Sequence, residues 1–150
     1  MIETERPSWP VDFKPGALRF SHSSANYDET VAFYRDLVSL PVLGEFTESF
    51  GEDGTIFGLP GVRIHLEIVR GHDRTFRVDP LDQLVFYLSG AAAVAAATAR
   101  LRASDAPIDP SQHPYWQARG AVTYLDPDGR RVVFAPWVFG LEPEPGAPSG

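Results

Sequence analysis

In this 150-residue sequence, the pair of residues whose types and spacing best suit proton transfer or metal binding is His65 and Glu67. They stand two positions apart in Val62–Val69, a stretch that predicts a strand, and alternate residues of a strand point to the same face. An imidazole with an ordinary pKa near 6.5 can carry a proton, and a carboxylate can accept one. With His22 or His113 the pair could also hold a divalent cation, since zinc needs at least three protein ligands. A lone histidine on a strand, however, is more often a hydrogen-bonded core residue.

Other catalytic patterns are missing from the sequence. It contains no cysteine, which excludes a disulfide framework, a thiolate metal site and a thiol nucleophile. It has no Gly-rich phosphate loop and no Gly-x-Ser-x-Gly elbow. Three serines lie close to His22, namely Ser21, Ser23 and Ser24, but they are too little for a hydrolase triad.

Composition narrows the class of protein and partner. Hydrophobic residues make up 43% and charged residues 22% of the chain, which is ordinary for one globular domain. The net charge of −7 argues against a nucleic-acid partner. Met1–Gly16 has no apolar signal core, and no run approaches the roughly 20 apolar residues that span a bilayer. We therefore expect a cytoplasmic protein with no membrane contact.

The predicted elements repeat one order, strand–helix–strand–strand–strand, twice. In the first half Asn26 and Glu29 form a capping box, and the helix that follows has Tyr34 on its apolar face. In the second half an Ala-rich run predicts a strong helix. The predicted strands are Leu18–Ser24, Val42–Thr47, Gly54–Gly58, Val62–Val69, Gln83–Ser89, Ala106–Asp109, Gly120–Leu125 and Arg130–Pro136, and the second helix is Ala91–Ala103.

Three short motifs of the sequence carry a family resemblance. Asp126-Pro127-Asp128-Gly129 predicts a type I turn, followed by Gly129 in the left-handed conformation and then a strand. With Phe33-Tyr34-Arg35-Asp36 and His65-Leu66-Glu67, it makes residues 17–137 resemble the vicinal-oxygen-chelate superfamily of glyoxalases, bleomycin resistance proteins and dioxygenases. Two further segments are similar to a glyoxalase-like subgroup: Gly58-Leu59-Pro60-Gly61 and His113-Pro114-Tyr115-Trp116.

The resemblance implies an α+β fold. Two βαβββ modules, about 17–70 and 82–137, would form a cup-shaped, eight-stranded mixed sheet around one cavity. Residues 71–81 would connect them, and the Pro/Gly-rich tail 141–150 would be disordered. The resemblance also implies a homodimer, in which each cup is built either within one chain or by exchange of modules between two chains.

The resemblance also indicates where a metal would bind. In metal-dependent members the ligands lie on the first and last strands of each module, which here gives Arg19, Glu67, Gln83 and Val133. Arginine stays protonated and has no free lone pair, and valine offers no donor. We therefore expect no metal at these four positions, although a divalent metal at His65 and Glu67 stays open.

In place of the metal, Arg19 would pair with Glu67 and either fill the cavity floor or anchor a polar ligand group. Strand alternation places Ser21, His65 and Tyr87 on the same face. The predicted ligand-binding residues are Arg19, Gln83, Tyr87, Tyr115, Trp116 and Trp137, with packing as the alternative for the aromatic ones.

The function predicted by resemblance is metal-independent binding of a small organic molecule, in antibiotic sequestration or a natural-product pathway. The alternative is an enzyme, a lyase, isomerase or dioxygenase, that uses Glu67 and His65 as catalytic residues with or without a divalent metal.

Overall fold

A computed structural model of the chain describes residues 8, 10–58, 61–72 and 77–140. The predicted tail 141–150 and part of the predicted connector lie outside these residues. The described residues form two mixed sheets with helices packed on them, so the predicted α+β class is confirmed. Seven of the eight predicted strands form in this part of the chain, and they make two sheets rather than one.

The first sheet has four strands in the order β1-β4-β3-β2. Its strands are β1 (Leu18–Ser24), β2 (Val42–Ser49), β3 (Glu52–Gly58) and β4 (Ile64–Arg70). The edge strand β1 runs parallel to β4, and this register puts Arg19 beside His65 and Ser21 beside Glu67.

The second sheet has three strands in the order β5-β7-β6. They are β5 (Gln83–Tyr87), β6 (Val122–Leu125) and β7 (Arg131–Ala135). Gln83 is paired with Arg131, and Val85 with Val133, so these four side chains share one face of the sheet.

The predicted strand Ala106–Asp109 is wrong in extent. Only one bridge, Ile108 to Tyr124, joins this segment to β6. Pro107 and Pro110 explain the loss, because proline has no N–H to donate and interrupts the ladder. The segment still lies along β6 through bonds from Asp109 N–H to the Thr123 carbonyl (2.9 Å) and from Leu125 N–H to the Pro107 carbonyl (2.9 Å).

Both predicted helices are present but modified. The first is α1 (Tyr27–Ala32) continued by a π-helical turn, Phe33–Leu37. The second is divided at Thr98 into α2 (Ala91–Ala97) and α3 (Ala99–Ala103). The Thr98 hydroxyl donates to the Val94 carbonyl at 2.8 Å, a back-bond that bends helices. A short helix, α4 (Pro114–Ala118), precedes β6.

The main core lies where the two halves meet. Both sheets and the helices contribute to it, and Phe33 and Tyr34 are buried in it as expected of the helix face. Its fully or nearly fully buried members are Val31, Phe33, Tyr34, Phe57, Ile68, Val94, Leu101, Tyr124, Val132 and Phe134. Because β7 alternates, Val133 and Ala135 instead face a second cluster with Trp116, Ala121 and Trp137.

The turn between β6 and β7 joins the halves. It has the predicted form: Gly129 N–H donates to the Asp126 carbonyl at 2.8 Å, and Gly129 has φ +82°. The buried Asp126 carboxylate accepts from Tyr34 Oη at 2.7 Å. Burial, followed by the charge of Asp126, raises the pKa of Tyr34 well above its ordinary value.

The predicted capping box is wrong. The Asn26 side chain does not cap α1 but donates from Nδ2 to the Pro127 carbonyl and to Asp128 Oδ1, both at 3.2 Å. The amide therefore ties the start of α1 to the β6–β7 turn. None of the helices formed by the described residues has the length and apolarity needed to cross a bilayer.

Candidate functional site

Arg19, Ser21 and Glu67 form a hydrogen-bonded group on the first sheet, here called the Arg19 cluster. Arg19 Nη1 donates to Glu67 Oε2 at 3.3 Å, and Ser21 Oγ donates to Glu67 Oε1 at 2.7 Å. The parallel register of β1 and β4 creates this arrangement, because it sets Ser21 directly opposite Glu67. The predicted pairing of Arg19 with Glu67 is therefore present, with Ser21 as an added donor.

The exposure of the Arg19 cluster decides what it can do. The Glu67 side chain is 13% exposed, whereas that of Arg19 is 50% exposed. A half-exposed ion pair contributes little to stability. The bond to Glu67 is the only one that Arg19 forms among the described residues, so the rest of the guanidinium can donate to a ligand.

His65 lies beside Arg19 on the same face of the sheet. Its ring packs close to Gly58, where an added Cβ would stand 3.1 Å from His65 Cδ2. Among the described residues its side chain has no hydrogen-bond partner. His65 is thus placed next to the Arg19 cluster without being bonded into it.

A cavity of about 150 Å³ opens on the second sheet, here called the Gln83 cavity. The described residues that line it begin at the end of the predicted connector, with Pro80, and otherwise belong to the second half of the chain. They are Pro80, Leu81, Gln83, Asp109, Ser111, His113, Trp116, Thr123, Arg131 and Val133.

Polar contacts fix the walls of the Gln83 cavity. Trp116 Nε1 donates to Gln83 Oε1 at 2.8 Å, which brings together two residues predicted to bind ligand. Arg131 Nε donates to Asp109 Oδ2 at 2.9 Å, and the Asp109 side chain is only 1% exposed. His113 accepts the Tyr115 N–H on Nδ1 at 3.1 Å, so it caps α4.

The predicted aromatic ligand contacts form one cluster. The Trp116 and Trp137 rings lie 5.9 Å apart, and Tyr115 and Tyr87 pack against Trp137. Trp137 is 2% and Trp116 8% exposed, so both fill the core, and Trp116 also borders the cavity. Tyr87, 40% exposed, is open to solvent.

His22 faces away from the Arg19 cluster, as strand alternation predicts. Both of its ring nitrogens are buried and have no partner among the described residues. Burial, followed by the charge of Arg130, lowers the pKa of His22 below its ordinary value. His22 therefore belongs to the contact between the halves and not to a metal centre.

The residues at the four metal positions of the superfamily do not suit a metal ion. Arg19 and Val133 offer no lone pair, and Gln83 Oε1 already accepts from Trp116. No group of three or more His, Asp or Glu side chains suited to a metal occurs within the described ranges. Glu67 alone remains as a typical ligand, and zinc would need at least two more.

Comparison with known proteins agrees with this architecture. The YycE-like N-terminal domain matches residues 18–69 and the YycE-like C-terminal domain matches residues 82–136. The uncharacterized protein YycE of Bacillus subtilis is 36% identical over 124 residues, which is 81% of this chain and 88% of that protein. The chain belongs to the YycE-like family.

Solved structures extend the comparison. A YycE protein of unknown function from Bacillus subtilis, described as a candidate glyoxalase/fosfomycin resistance protein, has a TM-score of 0.75 at 32% identity, covering 89% of this chain and 99% of that one. The fosfomycin resistance protein FosX of Listeria monocytogenes, in complex with Mn(II), has a TM-score of 0.64 at 13% identity, covering 85% and 96%. The YycE-like chain thus has the fold of the vicinal-oxygen-chelate superfamily, which confirms the predicted resemblance.

Among the residues of the Gln83 cavity that sequence reasoning missed are Asp109, Thr123 and Arg131. Arg131 stands two positions before Val133, so strand alternation alone could have placed it on the inner face. Thr123 has the same signal, because it pairs with Val133 across β6 and β7. Asp109 lies in the segment predicted to be a strand, where nothing indicated its pairing with Arg131.

Proposed function

We propose that this YycE-like protein binds a small organic molecule, without a metal, in a cup that combines the Arg19 cluster with the Gln83 cavity. The bond between Arg19 and Glu67 is the observation that carries the proposal. By the resemblance, Arg19 stands at a metal-ligand position of the superfamily, so its guanidinium would take the place of the ion and keep donors for a ligand. Arginine in such a place can bind a carboxylate, carbonyl or phosphate group of a ligand.

The rest of the proposed cup suits an organic body. Tyr87 offers an exposed aromatic face, and Trp116 and Val133 supply apolar wall. Relatives described as glyoxalase or fosfomycin resistance proteins support a role on small molecules. We propose antibiotic sequestration or a step in a natural-product pathway as that role.

The cup is proposed to need a second copy of the chain. The Arg19 cluster lies on the first sheet, whereas the described lining of the Gln83 cavity begins at Pro80 and lies with the second sheet. Strands β1 and β5 are both sheet edges, and edges left open invite pairing with another chain. A partner that places its β5 beside β1 would bring the two groups together.

Ligand screening of untagged protein, purified without chelators, tests the proposal. We expect metal far below one ion per chain by elemental analysis and stabilisation by organic ligands in thermal shift. Arg19→Gln should weaken the binding of those ligands about tenfold, since it removes a charge-assisted hydrogen bond. Arg35→Gln is the matched control, because Arg35 has similar exposure and, within the described part of the chain, bonds only to its neighbour Asp36.

Two results would contradict the proposal. One is near-stoichiometric metal that disappears in a Glu67→Ala variant, which would indicate a metal centre. The other is ligand affinity that Arg19→Gln leaves unchanged.

A further inference from the structure

Thr123, a residue that lines the Gln83 cavity, has an unsatisfied hydroxyl. The residue is 2% exposed, lines the cavity, and its Oγ1 has no hydrogen-bond partner among the described residues. A buried hydroxyl without a partner destabilises a protein, so such groups normally have one. Because Thr123 lines the cavity, a rotation of its side chain about χ1 would present this hydroxyl to a ligand there.

The other polar groups of the cavity offer mostly hydrogen-bond donors. Gln83 uses its oxygen to accept from Trp116, which leaves the amide nitrogen without a described partner. Among the described residues, Arg131 donates only from Nε, to Asp109. His113 accepts on Nδ1, so its neutral ring carries the proton on Nε2 and can donate from there.

Asp109 is the one carboxylate among the described residues of the lining, and both of its oxygens are occupied. Oδ2 accepts from Arg131 and Oδ1 accepts the Ser111 N–H at 2.9 Å. Its charge is offset by that of Arg131. The cavity is therefore close to neutral in charge and rich in donors, which favours an oxygen acceptor over a cation.

We infer that the Gln83 cavity binds the carboxylate end of a small organic acid, held by Thr123, Gln83 and Arg131. The inference rests on the proposed function, since it names the chemical group that the cup recognises. A cavity of about 150 Å³ has room for several water-sized groups. That volume accommodates a carboxylate on a short carbon chain, and the rest of the ligand extends outward.

Titrations monitored by NMR test the inference with three probes of similar size: propionate, propionamide and propylammonium. Propionate should bind in the millimolar range, as suits a five-atom probe. Thr123→Val should weaken the binding of propionate about tenfold, because a hydrogen bond to the ligand is lost. The same variant should raise the unfolding midpoint, because it removes a buried hydroxyl that has no partner in the free protein. A role in packing alone would not combine these two effects.

Thr55→Val is the matched control. Thr55 is as deeply buried, but its hydroxyl is bonded to Tyr27 Oη at 2.7 Å in the first half of the chain. This variant should lower the unfolding midpoint and leave propionate binding unchanged. Gln83→Glu is a second variant, which should weaken propionate and strengthen propylammonium because it adds a negative charge.

The outcomes separate this inference from the proposed function. The inference is overturned if propionate binds no better than propylammonium, or if it binds equally well to wild type and Thr123→Val. In either case, screening ligands whose binding depends on Arg19 would still support the proposed function. Propionate that depends on Thr123 and Gln83 supports the inference, even where Arg19→Gln has no effect on larger ligands.

Discussion

At the scale of single residues, Glu67 holds the Arg19 cluster together. Each of its carboxylate oxygens accepts one side-chain hydrogen bond, from Arg19 and from Ser21. In a binding protein this geometry only has to orient Arg19. In an enzyme Glu67 would also have to take a proton, which a carboxylate can do and an amide cannot.

Glu67→Gln distinguishes these two roles. The glutamine oxygen can still accept from Arg19 or Ser21, so we expect ligand affinity to fall by less than about tenfold. Trp116→Ala should reduce it further, because it removes a cavity wall; circular dichroism checks that this variant is folded. Calorimetric titration with the screening ligands measures both. Turnover of any ligand by wild type that Glu67→Gln abolishes would instead identify an enzyme.

His22 makes stability depend on pH. Its folded-state pKa is lowered by burial and by Arg130, so the unfolded chain binds more protons than the folded one below the ordinary pKa of about 6.5. The stabilising contribution of neutral His22 is therefore complete above that pH and is lost as the pH falls below it. We expect the free energy of unfolding of the wild type, measured with urea, to decrease as the pH falls from about 6.5 to about 5.

His22→Leu should remove this part of the pH dependence and be more stable than wild type at the acidic end, because it also removes two unpaired nitrogens. His72→Leu is the control, since His72 is exposed and its one described side-chain partner is Glu52. Equal pH slopes for wild type and His22→Leu would contradict the assignment.

At the scale of elements, the β6–β7 turn connects the two halves through Asp126 and Asp128. Gly129 supports it with φ +82°, and an added Cβ would meet nothing within 4 Å. Gly129→Ala should therefore cost only the backbone strain of the left-handed conformation, about 1–2 kcal/mol in free energy of unfolding. Gly16→Ala, at an equally open glycine without positive φ, should cost much less. Urea unfolding measures the free energy of unfolding of both variants. Equal losses in the two would show that backbone strain at Gly129 is not the cause.

Local signals predicted this turn well, because its residues interact with one another. The same reasoning failed at Asn26, whose partners lie 101 and 102 residues away along the chain. It also overextended the Ala106–Asp109 strand, where alternation favoured pairing and the prolines prevented it. In the site, the pairing of Arg19 with Glu67 could be predicted, because the superfamily resemblance places both residues at metal-ligand positions. The isolation of the Thr123 hydroxyl depends on packing that no local pattern records.

At the scale of the whole molecule, the exposed end of the first sheet indicates a missing neighbour. Leu18, Phe20 and Ile64 share one face and are 52%, 67% and 60% exposed. They lie behind the Arg19 cluster, because Arg19 alternates with Leu18 and Phe20 along β1. Contiguous exposed apolar surface next to a sheet edge is typical of an interface between proteins.

Phe20→Glu tests the proposed second copy. We expect the wild type to be a dimer at about 10 μM and the variant mostly monomeric, because a buried unpaired carboxylate costs several kcal/mol. Phe50→Glu is the control, since Phe50 is fully exposed on the turn after β2, far from the β1 edge. Light scattering coupled to size exclusion gives the mass, and the screening ligands should bind the Phe20→Glu monomer more weakly than the dimer. A monomeric wild type that binds ligand fully would mean that one chain completes the cup, because the Arg19 cluster and the Gln83 cavity would then serve the ligand without a partner.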